Sequence, residues 1–306
     1  MCVCLMFNVG SAYADSLSLD DALRATYTAC VDIDDELTDL KKMAGINTAI
    51  TAVATATGAG ATVVGLVKSN KDAQIENLER KLEKLHEIEK HRSFEVPNKA
   101  ELLGALDAYY EENKDESKQI EDEIEHLTQQ SKKLGNLRTG LLGTGTVANT
   151  AGTIMANNNK IKKDLKTQIK ECRESLNRLD DAIGQARLDG TDTTRAKEIA
   201  TACSGWKTVD ISVINHRANG AAISSVIGAG TGMFGTITSA VANTNKTRQD
   251  NTDSGKQKEK NLNTASNVLS GATTIASGTA TVFNATQIST IKKVASVAEK
   301  CTGALK

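Results

Sequence analysis

The chain has 306 residues, with 37 basic and 38 acidic side chains, 3% aromatics and one proline, Pro97. Balanced charge argues against a polyanionic partner such as nucleic acid. The scarcity of aromatics argues against an ordinary compact core, and a single proline suits long uninterrupted helices.

Residues 1–14 end an apolar run in Ala12-Tyr13-Ala14, the small-x-small pattern of a secretory cleavage site, without the usual basic start. A truncated signal peptide is expected, and with it export to the periplasm or cell surface. Without Cys2 and Cys4, four cysteines remain: Cys30, Cys172, Cys203 and Cys301. An even number in an exported chain suggests two disulfides, for which three connectivities are open.

The next stretch, 20–43, is expected to be one helix. Leu19, Leu23, Thr26, Cys30, Ile33, Leu37 and Leu40 recur at three- and four-residue steps, the spacing of a heptad seam. Four uncharged segments rich in Ala, Gly and Thr then punctuate the chain, at 46–67, 139–157, 219–245 and 261–291. Between the first two, Ile75, Leu78, Leu82 and Leu85 resume the seam. The sequence RSFEVPN at 92–98 breaks it, and Asn98 with Glu101 resembles a capping box that restarts a helix. Ile120, Ile124, Leu127 and Leu134 carry the return seam, which continues after the second segment through Ile161, Leu165, Ile169, Cys172, Leu176, Leu179 and Ile183. Gly190 and the polar run 191–194 read as a helix stop and restart.

The second half repeats this order in shorter form: cysteine, small-residue segment, charged connector, small-residue segment, cysteine. Thr-Ala-Cys203 echoes Thr-Ala-Cys30. An internal duplication is inferred, with a long hairpin over 15–189, its tip near 92–113, and a shorter one over 190–306, turning near 249–256. If each hairpin is closed by its own disulfide, facing residues keep a constant sum of residue numbers. Cys30 and Cys172 set that sum at 202, and Cys203 and Cys301 set it at 504. The first register faces seam with seam on both sides of the small-residue zone. The second sets large residues against small ones, as in Val226/Gly278, Met233/Gly271 and Phe234/Ser270, which predicts interdigitation. The fold class expected is all-α: an elongated antiparallel helical bundle of two long hairpins with a waist of small residues.

Each small-residue segment is about long enough to cross a bilayer, which takes roughly 20 residues. Gly58, Gly228 and Gly232 lie in small-xxx-small patterns. Against insertion stand Asn149, Asn157, Asn263, Asn267 and Asn284, the weak insertion energy of Ala, Gly and Thr, and the lack of a positive-inside bias. The balance favours a soluble exported bundle, with a four-span membrane protein, a pore or secretion component, as the alternative.

No catalytic, cofactor or metal signature stands out. The histidines His86, His91, His126 and His216 lack metal-ligand spacing. Asp32, Asp34, Asp35 and Glu36 lack the glycine and distal glutamate of a calcium loop. TGAGATVVG lacks the G-K-[ST] of a phosphate loop. Trp206, the single Trp, is expected in the core beside its disulfide. Leu102, Leu103, Leu106, Tyr109 and Tyr110 make an apolar patch at the long tip, the candidate partner contact. A non-enzymatic structural or interaction protein of the cell envelope is expected, with a protein partner or self-association and no small-molecule substrate.

Overall fold

A computed structural model of the chain describes the backbone of residues 18–92, 99–244 and 253–306, and the side chains of 18–87, 114–244 and 254–306. The expected signal segment 1–14 and the first half of the expected turn near 249–256 lie outside the described backbone. Among the described residues every regular element is a helix: α1 (Leu19–Cys30), α2 (Ile33–Arg92), α3 (Lys99–Asn158), α4 (Lys163–Leu188), α5 (Thr194–Cys203), α6 (Gly205–Thr208), α7 (Ser212–Ala242) and α8 (Asp253–Leu305). The protein is an all-α bundle of helical hairpins. Its contacts divide it into two compact units. Of the described residues, unit 1 takes those within 18–46, 156–219 and 284–306, and unit 2 those within 47–155 and 220–283.

Unit 1 has a conventional core. Ile33, Leu37, Ile169, Leu176, Leu179, Trp206, Ile214 and Ile291 are fully buried around the four cysteines. Two disulfides join Cys30 to Cys172 and Cys203 to Cys301, with Cα–Cα separations of 5.0 Å and 4.3 Å. Their sequence separations of 142 and 98 residues close long loops, and such cross-links restrict the unfolded chain most.

The expected single helix over 20–43 is interrupted. Val31 caps α1 by donating its N–H to Tyr27 O at 3.1 Å, and α2 begins at Ile33. The seam survives because Cys30 and Ile33 both stay buried across the turn. The acidic run explains the restart, since Asp34, Asp35 and Glu36 sit in the first turn of α2, where carboxylates favour the positive end of the helix dipole. Gly190 does end α4. It adopts φ +73°, with Thr191 N–H bonded to Ala186 O at 2.8 Å and its own N–H to Arg187 O at 3.3 Å. These two bonds form a Schellman cap, whose left-handed residue favours glycine.

A second break, between α3 and α4, was not expected from the seam. It follows the run Asn157, Asn158, Asn159, residues that form caps and turns more readily than helix interiors. Side chains from other helices satisfy the freed backbone. Asn215 Oδ1 accepts from Ile161 N–H at 2.7 Å, and Gln287 Nε2 donates to Asn159 O at 2.9 Å. Both side chains are placed to meet groups that would otherwise be buried unpaired.

Unit 2 consists of the remaining lengths of α2, α3, α7 and α8. α2 and α3 run antiparallel with Thr57 against Gly145 and Leu141 against Gly60, the register of 202 to within one residue. α7 and α8 run antiparallel with Thr231 Oγ1 2.9 Å from Thr273 Oγ1, a sum of 504.

Candidate functional site

The feature that sets unit 2 apart is its radial polarity. Its interior positions follow heptad steps along each helix, but in the small-residue zone, Leu142 apart, the residues there are small or polar. On α2 they are Asn47, Thr51, Ala54, Gly58, Ala61 and Gly65, and on α8 they are Ser266, Ser270, Thr273, Ser277 and Ala280. Hydroxyl and amide pairs tie the helices together. Asn149 Nδ2 donates to Ser277 Oγ at 2.9 Å, and Ser277 Oγ stands 3.1 Å from Asn149 Oδ1. Thr62 and Ser270 hydroxyls meet at 3.0 Å, Thr139 and Ser239 at 2.9 Å, and Thr55 and Thr281 at 3.2 Å. Threonines also return their hydroxyls to the carbonyl four residues earlier, as Thr62 does to Gly58 O at 3.0 Å, which keeps each hydroxyl satisfied inside a helix.

Glycine sets the helix separation. A Cβ on Gly58 would stand 2.9 Å from Thr274 Oγ1 and 3.3 Å from Thr274 Cα, so α2 and α8 approach at backbone range. Gly228 makes room for Asn149 and Gly232 for Thr146 in the same way. Close backbone approach through small residues is how helices associate where no hydrophobic force acts between them.

Leu142 is buried in the zone, and Ile120 and Leu127 beyond it, but many large apolar side chains of unit 2 face outward. Val53, Val63, Leu66, Leu137, Val147, Ile154, Ile223, Ile227, Ile237, Val268 and Ile275 are all exposed, Ile275 at 73%. The interdigitation expected of the shorter hairpin holds at Gly235, where an added Cβ would stand 3.4 Å from Leu269, and in the packing of Phe283 on Gly220, but it fails at three of its pairs. Val226, Met233 and Phe234 are 55%, 53% and 60% exposed rather than packed against Gly278, Gly271 and Ser270. The register is the one expected, but the partner positions that point inward are Ser225, Gly228, Gly232 and Gly235. At about 1.5 Å per residue, the intervals from Val53 to Val67, Leu137 to Ile154, Ile223 to Val241 and Val268 to Val282 are each roughly 21–28 Å long. Within them Arg138 is the single charged residue, and it is 1% exposed, turned inward. Two helical stretches, Leu19–Glu87 and Thr194–Ala242, are apolar and long enough to cross a membrane by length and composition. Only 28% and 39% of their most apolar windows are buried. The matching segments of α3 and α8 are more polar, and their outward Val147, Ile154, Val268, Ile275 and Val282 complete the ring.

One end of this zone carries an inward ionic group. Lys68, 1% exposed, lies 2.6 Å from Asp72 Oδ2 and 3.6 Å from Glu259 Oε1. Asp72 also accepts from Ser131 Oγ at 2.5 Å and from Asn263 Nδ2 at 3.3 Å. A buried ammonium is tolerated in this way, paired and with its partners hydrogen-bonded. Neither Lys68 nor Arg138 was singled out from the sequence. The available signal was a charge at an interior heptad position, one step beyond an uncharged segment.

The four seam cysteines come together in unit 1 as the two disulfides, with Trp206 fully buried in the same core. The candidate contact residues Leu102, Leu106, Tyr109 and Tyr110 lie on α3, but their side chains fall outside the described residues, as does that of His91. His86 and His126 are exposed on charged faces; His126 Nε2 is 3.2 Å from Gln130 Nε2. Asp32, Asp35 and Glu36 are exposed, and Asp39 makes an ordinary surface pair with Lys42 at 3.2 Å. Among the described residues no group of three or more His, Cys, Asp or Glu could hold a metal ion. Compared with known proteins, the chain matches no family model, no curated protein and no solved structure.

Proposed function

We propose that this chain is a non-enzymatic, exported envelope protein whose unit 2 inserts into a bilayer as a four-helix bundle. The observation that supports the reading is the reversed radial polarity of unit 2. Large apolar side chains face out around a ring of roughly bilayer height, about 30 Å, while hydroxyls, amides, Leu142 and the one charge of the zone face in. In water such an outward ring forfeits roughly 1.5–3 kcal/mol for each large side chain left unburied. In hydrocarbon it costs nothing, and the inward hydroxyl pairs then act as interhelical glue. Unit 1, with its apolar core and two disulfides, suits an oxidising aqueous compartment. The interior of unit 2 is filled by side chains, which favours an anchor or assembly role over a conduit through one copy.

A soluble exported bundle would need a partner to cover the ring. Fractionation of the mature protein decides between the two. Retention in the membrane pellet after an alkaline carbonate wash is the expected result, and release into the supernatant overturns insertion.

A further inference from the structure

We propose that a cleft of unit 1, between α4 and the start of α7, binds a phosphate-bearing anion. The cleft has a volume of about 620 Å³. One wall is a stripe of α4. Lys163, Lys166, Lys170 and Arg173 all line it, and steps of three, four and three place the four cations on one face of the helix. Lys163 and Lys166 are exposed and form no ion pair among the described residues, while Lys170 is 3.4 Å from Glu174. Arg173 is anchored by a hydrogen bond from Nη2 to Val209 O, and its Nε is buried without a partner.

The facing wall is the first turns of α7. Its one carboxylate, Asp210, is already committed. It accepts from Ser212 N–H at 2.9 Å and from Ser212 Oγ at 2.7 Å, and these bonds hold it below the usual carboxylate range. It caps α7 and offsets only one of the four cations. Asn215 turns its Oδ1 to Ile161 N–H, which leaves its Nδ2 as the donor it can offer to a ligand. Helix N-termini add partial positive charge here, since both Lys163 and Ser212 open helices.

A doubly charged phosphate matches this excess of point charges and donors better than a monoanionic carboxylate does. Buried Ile161 and Ile169 complete the lining, so the phosphate would carry an organic body. A soluble phosphomonoester and a lipid phosphate headgroup share this chemistry, so the inference does not depend on membrane insertion.

The test uses the purified full-length chain, a Lys163→Glu/Lys166→Glu variant, and a Lys81→Glu/Lys84→Glu control with the same change in net charge at exposed sites of α2. Glycerol 3-phosphate is titrated calorimetrically. In parallel, retention of phosphatidic acid over phosphatidylcholine from mixed micelles is measured by mass spectrometry. Binding should fall about tenfold or more in the α4 variant, the change that roughly 1.4 kcal/mol produces, and stay unchanged in the control. Capture of glycerol 3-phosphate assigns a soluble ligand, and selective retention of phosphatidic acid alone assigns the headgroup. The proposal is overturned if the wild type binds in neither arm, if the α4 variant keeps wild-type binding, or if the control loses as much. Trp206 emission and helical content confirm that each variant is folded.

Discussion

At the inward positions of α8, Ile291, Val294, Ala298 and Cys301 fill the core of unit 1, whereas Ser266, Ser270, Thr273 and Ser277 fill that of unit 2. The stepping of three and four residues is the same in both. Only the chemistry carried on it differs. Unit 1 is held by apolar burial, which water drives. Unit 2 is held by close packing at glycine and by hydroxyl pairs, each worth only about 0.5–1.5 kcal/mol net in water. A heptad therefore specifies which faces meet, and says nothing of whether the meeting face is the apolar one.

The sharpest contrast should come from Trp206. Trp206→Ala removes the largest fully buried side chain of unit 1 and should cost about 3–5 kcal/mol, read by denaturant unfolding followed by circular dichroism. If unit 1 tolerates it, the apolar-core account of that unit fails. Next, Ile275→Arg places a charge on the outward face of unit 2. Facing lipid, it should cost roughly 2.5–3.5 kcal/mol of insertion and shift the protein out of the carbonate-resistant pellet. Facing water, it should change stability by less than about 0.5 kcal/mol, so this substitution alone tells the two surroundings apart.

Gly58→Val comes third. It pushes α2 from α8 against the backbone of Thr274 and should cost about 1–3 kcal/mol. Gly143→Ala meets no atom within 4 Å and should be neutral or stabilising by up to about 1 kcal/mol. Equal effects at the two sites, measured as thermal midpoints, would remove close helix approach as the basis of unit 2. The smallest effect belongs to Asp210. Its pKa is lowered by the hydrogen bonds from Ser212, so its contribution is present above the ordinary carboxylate range and lost as pH falls through the lowered value. Trp206 fluorescence should report a small loss of unit 1 stability on acidification, and Asp210→Asn, which still caps, should flatten that part of the profile.

Much of the bundle was legible in the sequence. Leu165, Ile169, Leu176 and Leu179 announced their burial by spacing alone, and the cysteine positions implied the register that brings Thr57 to Gly145 and Thr231 to Thr273. Gly190 announced a helix end because few other residues take φ +73° without strain. The breaks at 31–32 and 159–162 were hidden because the seam runs through them in phase. Side chains distant in sequence, Asn215 and Gln287, settle the exposed backbone at the second of these. The cationic cleft was hidden for a different reason. Lys163, Lys166 and Lys170 resemble any solvated helix face until the start of α7 is set opposite them.

By itself the sequence determined the helices, their periodicity and the pairing of seams, because these follow from local spacing and from where the chain turns back. It did not determine which side of each small-residue helix faces in. Segments such as 46–67 carry Val and Leu on one face and Asn, Thr, Ala and Gly on the other, and the usual expectation that the more apolar face is buried picks the wrong one. Only the packing of four helices decided it. Glycine, serine and threonine allow backbones to approach and hydroxyls to pair, and bulkier side chains such as Val53, Val63 and Ile275 do not fit that separation and turn outward.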